Sequence, residues 1–145
     1  MDKEFLQEVA NFKLWAKTAD QSFGEWETEY LHWDKIYHAA DKLIDTTLVG
    51  KWIGEFLDEF LFILARDNEC ENIMDTLIQY PNQLISLARY AVNFQDPDAK
   101  WQIASGLGKI NTGDEAIRSL LKSFLADEDE YVKRRAALAW EEKGY

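Results

Sequence analysis

Cysteine is nearly missing from this 145-residue chain: Cys70 stands alone, so no disulfide can form within it. That usage suits a reducing compartment. Two prolines and seven glycines are too few to punctuate a fold of many short strands. Long apolar runs are absent as well. The most apolar stretch, FLDEFLFILA from Phe56 to Ala65, carries two acids and is far shorter than the ~20 residues a membrane span requires. The opening MDKEFLQEV has neither a basic patch nor the apolar run of a secretory signal. Bases are scarce, 16 against 27 acids, for a net charge of −11. Such a chain repels nucleic acid, whose binding depends on neutralising phosphates. A soluble, cytoplasmic protein without membrane or nucleic-acid partners is expected.

What is present is aromatic and helical. Six Trp, six Tyr and eight Phe supply large rings for one core, and the length suits a single domain over 1–145. Apolar residues recur every three or four positions almost throughout, and no stretch alternates as a strand does. The spacing predicts seven to eight helices. The first runs from Asp2 to Lys17. The second begins at Ser22, where Ser22 and Glu25 have capping-box spacing, and carries a stripe of Phe23, Trp26, Tyr30, Trp33 and Tyr37. Later ones cover about 50–66, 69–80, 82–94, 97–110, 114–126 and 129–143. Asp96 followed by Pro97 reads as a helix start, as do Thr112 with Glu115 and Asp127 with Glu130. Short connections predict antiparallel neighbours.

Charge is uneven. Residues 1–80 hold seventeen acids and seven bases, whereas residues 81–145 hold ten and nine. The acidic half, rich in aromatics over 1–66, is expected to face a basic partner. Glu25, Glu27, Glu29 and Asp34 surround the aromatic stripe as its acidic surface.

The segment 67–145 repeats. Sliding it by thirty-three positions lays Leu84 on Ile117, Ser86-Leu87 on Ser119-Leu120, Asp96 on Asp129, Lys100 on Lys133 and Ala104 on Ala137. A period of this size points to stacked helix pairs. The run Asp96-Pro97-Asp98-Ala99-Lys100, then Ala104 and Leu107-Gly108, resembles the turn and second helix of a HEAT repeat. Asp129 to Ala139, with Val132-Lys133 and Ala136-Ala137, is similar one repeat later. The resemblance is good over 82–142 and weaker over 51–80. It implies a short right-handed α-solenoid of antiparallel helix pairs. It further implies a ladder of Asp96, Lys100, Asp129 and Lys133, with Lys133 bonding acidic turn residues such as Asp96 or Asp129. Val132, Ala136, Ala139 and Trp140 would be buried. The basic run Lys133-Arg134-Arg135 then starts a helix instead of gripping phosphate.

On the concave side the resemblance places Trp101, Gln102, Ser105, Arg134, Arg135 and Leu138 as a partner-binding patch. Two readings stand for Trp101: an exposed anchor, or a ring packed between helices. No catalytic constellation is expected. His32 and His38 do not share a helix face, Glu29 and His32 lack the second copy a metal site needs, and Cys70 sits among acids that disfavour a thiolate. Glu55, Asp58 and Glu59 read as a solvated face. No metal or cofactor is expected.

These readings favour a non-enzymatic protein-binding module, in its sharper form an inhibitor resembling bacterial immunity proteins that neutralise basic toxins. HEAT-like DNA alkylpurine glycosylases and bilin lyases are enzymes of the same resemblance, but the shortness and acidity of this chain depart from the former. Self-association through the aromatic N-terminal helices is the third reading.

Overall fold

The computed structural model describes residues 3–145, and over them the chain forms eight α-helices and no strand. They are α1 (Lys3–Ala16), α2 (Trp33–Thr46), α3 (Gly54–Arg66), α4 (Asn72–Ile78), α5 (Pro81–Ala91), α6 (Pro97–Leu107), α7 (Asp114–Leu125) and α8 (Glu130–Glu142). Asp2, the expected first residue of α1, lies outside the described residues. Single 3-10 turns at Trp26–Glu29 and Val49–Lys51 precede α2 and α3. No helix among the described residues is long and apolar enough to cross a membrane.

The expected helix from Ser22 through Tyr37 does not form. Residues 17–32 are irregular apart from the 3-10 turn, and α2 starts only at Trp33. Packing around one ring explains the break. Phe12 of α1 is fully buried and collects Trp15, Trp26, Tyr30, Trp33 and Phe62 at centroid distances of 5.1–6.5 Å. To reach it, Tyr30 adopts an extended backbone and the Trp33 indole donates to the Glu27 carbonyl at 2.9 Å. Burial of several aromatic rings outweighs the helical spacing that suggested one stripe. The Ser22–Glu25 capping box is absent too, since the Ser22 amide donates to Asp20 instead.

The other starts are mixed. The Asp96 carboxylate accepts from the Asp98 amide at 3.0 Å, with Pro97 in the first turn, which satisfies an amide that has no intrahelical partner. For α8 the cap is Asp129, accepting from Tyr131 and Val132, and not the expected Asp127–Glu130 pair. Helix α7 starts after Gly113 at φ +72°, without a Thr112 side-chain cap. A left-handed φ favours glycine there.

Helix α6 is central, touching α3, α4, α5, α7 and α8. Along α6 and α8, Trp101 meets Tyr131, Ser105 meets Arg135, and Gly108 faces Ala139. A Cβ at Gly108 would stand 3.0 Å from the Ala139 Cα, so the lack of a side chain permits this approach. Helix ends are tied by side chains from elsewhere. Gln83 of α5 donates to the Ile44 and Thr47 carbonyls and accepts from the Val49 amide. Lys143 donates to the Ile110 carbonyl at 2.7 Å.

Candidate functional site

Two surfaces hold the chemistry. The first is the ridge on α6 and α8, where Trp101 is only 8 % exposed. Its indole donates to Asp98 at 3.0 Å, and Arg135 covers its ring at 4.5 Å. Arg135 also donates to the Tyr131 hydroxyl at 3.0 Å and to Ser105 Oγ at 2.8 Å. The Tyr131 ring meets Trp101 edge-on at 5.5 Å. Thus Trp101 packs beneath an arginine and is not an exposed anchor. Arg134 and Leu138 project outward, Leu138 at half exposure.

Gln102 does not belong to this surface. It is completely buried, and its amide donates to the Leu64 and Asp98 carbonyls, so it ties the end of α3 to α6. Its Oε1 is buried without a partner, as is the Trp52 indole nitrogen.

The acid–base rungs also differ from the expected ladder. Lys100 pairs with Asp127 at 2.6 Å, both largely buried, and Asp96 pairs with Arg66 of α3 at 3.2 Å. Lys133 reaches Glu130 on its own helix at 3.2 Å, while Asp129 is occupied in capping α8. The reason is positional: Asp127 precedes α8 by enough to approach α6, whereas Asp129 points into its own first turn. Burial pushes the Asp127 carboxyl up, but the Lys100 ammonium and the Asp129 amide outweigh it and hold the group below its usual range.

The second surface joins part of the aromatic stripe, Tyr30, Trp33 and Tyr37, to a loop wall that the sequence did not mark. A cleft of about 250 Å³ opens between α2, the turn before it and the α3–α4 connection. Tyr30, Trp33 and Tyr37 line it on one side, and Arg66, Asp67, Glu69 and Cys70 on the other. Trp33 and Tyr37 stack at 5.5 Å, while Tyr30 stands nearly perpendicular to Trp33. Asp67 is 3 % exposed, accepting from the Tyr37 hydroxyl at 2.7 Å and from the Ile73 amide at 3.0 Å. Burial raises its pKa to about 6, against the lowering effect of those hydrogen bonds. Burial and the bond to Asp67 likewise push the Tyr37 phenol far up. Arg66, on the same wall, pairs with Asp96 and lies over the Phe62 ring at 4.9 Å. In the sequence Asp67 is one more acid in a helix-ending loop, and only the fold carries it under the aromatic rings.

Of the acidic surface, Glu25, Glu29 and Asp34 are exposed and Glu27 is half-buried. Both histidines are exposed; His32 lies edge-on to Tyr30 and precedes α2. Glu59 pairs with Lys13 at 2.7 Å, and Asp58 accepts from Tyr90, so that acidic face is partly engaged. No group of three or more His, Cys, Asp or Glu is placed to hold a metal among the described residues. Comparison with protein-family models, curated proteins and solved structures finds no match to this chain.

Proposed function

We propose that this chain is a non-enzymatic protein-binding module of HEAT-like type whose partner is a basic protein. One observation carries the reading: among the described residues, six exposed carboxylates of the N-terminal half, unlike Glu4 with its Lys42 partner, stand in no ion pair. Glu25, Glu29, Asp34, Glu55, Glu69 and Asp75 are all exposed, and no ion pair engages them. Concentrated unneutralised charge of one sign steers association with an oppositely charged surface.

The solenoid arrangement belongs to the same proposal. Support comes from the matched order of contacts along α6 and α8, in which residues 101, 105 and 108 meet 131, 135 and 139. That order makes the two helices run the same way, as second helices of successive repeats do. The α6–α8 ridge adds a pre-ordered contact surface. Arg135 is locked by a ring and two hydroxyls, so little rotamer freedom remains to be lost on docking.

The test is capture of partners from the host lysate, followed by titration of the purified partner. A basic protein should emerge whose affinity falls with salt, and reversing Glu29 and Asp34 to lysine should weaken it about tenfold, mainly through slower association. A partner indifferent to salt and to charge reversal would end this reading.

A further inference from the structure

Asp67 is the least ordinary group in the molecule. It is a carboxylate at 3 % exposure, yet no ammonium or guanidinium pairs with it among the described residues. Buried charges are usually paired, because desolvation disfavours them otherwise. Here the adjacent base, Arg66, is engaged by Asp96 and Phe62 instead. Tyr37 and the Ile73 amide satisfy the oxygens by hydrogen bonding but bring no full positive charge.

Beside this carboxylate lies the aromatic cleft. Rings attract cations through their faces, most strongly where water is partly excluded. Glu69 is exposed and in no ion pair among the described residues, so Asp67 and Glu69 outnumber Arg66 on the lining, and Arg66 is already set against Asp96. Trp33 is held by its bond to the Glu27 carbonyl and Tyr37 by its bond to Asp67, so the walls are ordered before a ligand arrives.

We propose that this cleft receives a cationic side chain of the partner protein, an arginine or lysine head placed against Trp33 and Tyr37 with Asp67 as its counter-charge. The proposal rests on the reading of a basic partner and names the anchor through which that partner is held.

The experiment needs no partner. The ¹⁵N-labelled full chain is titrated with N-acetyl-arginine methylamide and, separately, with its neutral isostere N-acetyl-citrulline methylamide. The arginine compound should shift the Trp33 indole N–H and the Ile73 amide saturably, whereas citrulline should not. Added salt should weaken the response. Asp67→Asn should lower the affinity about tenfold, the size expected for one partly buried charge pair. Because Asp67 also helps hold the α3–α4 connection, the exposed Glu69→Gln is the second variant and should lower affinity by a smaller factor. Equal responses to both compounds, or no response at these two protons, overturns the proposal. If the arginine compound fails but a basic partner is captured and responds to Glu29 and Asp34 reversal, only the cleft is wrong. If the compound binds and no basic partner exists, the cleft stands and the wider reading falls.

Discussion

Asp67 shows how a single residue can carry a pH dependence. Its folded pKa of about 6 lies above the ordinary value of 3.8, so the folded chain holds the proton more tightly than the unfolded one. Stability from this group is therefore fully present below pH 4 and is lost as pH rises through 6. A shift of this size corresponds to about 3 kcal/mol. Asp67→Asn should accordingly be more stable than the parent at neutral pH, by up to that amount, with the gap closing near pH 4. Urea unfolding at the two pH values checks it; a variant less stable by the same margin at both would refute the account. The residue-scale signals that did read correctly from sequence were local ones. Asp96 before Pro97 announced a helix start because the cap and the fixed proline φ act within three residues. The Ser22–Glu25 spacing failed because Ser22 is not at a helix start at all.

At the scale of elements, periodicity located α1 and α3 to α8 to within a few residues, because each buries one face. Phe5, Val9 and Phe12 of α1 and Val132, Ala136 and Ala139 of α8 are buried where their spacing placed them. The aromatic segment 22–37 kept helical spacing without becoming one helix, since its rings converge on Phe12 from a bent chain. Two element-scale predictions follow from close contacts between helices. Gly108→Ala would press a methyl against Ala139, so α6 and α8 must separate, at a cost of about 1–3 kcal/mol in thermal or chemical unfolding. Gln83→Leu removes the donor to the end of α2 and strands the buried Val49 amide, at about 2–3 kcal/mol. A Gln83→Leu change within half a kcal/mol of the parent, read against the ~1 kcal/mol of one ordinary hydrogen bond, would mean that water replaces all three bonds.

For the whole molecule the controlling quantity is charge. With a net −11, most of it in residues 1–80, folding brings like charges together. Moderate salt should raise the melting temperature at pH 7 by screening that repulsion, although it also weakens exposed pairs such as Lys42–Glu4. Scanning calorimetry across a salt series decides the balance. A melting temperature that falls with salt would show the internal ion pairs to be dominant.

Helical class and the acidic bias were set by sequence alone, because periodicity, composition and caps are properties of neighbouring residues. Tertiary structure decided which charges meet. Lys100 finds Asp127 and Arg66 finds Asp96, pairs 27 and 30 residues apart that only helix packing brings within reach. It buried Trp101 under Arg135 and drew Gln102 into the core. It also carried Asp67 beneath Tyr37 with no counter-ion among the described residues, because that juxtaposition depends on how α2 packs against the α3–α4 connection.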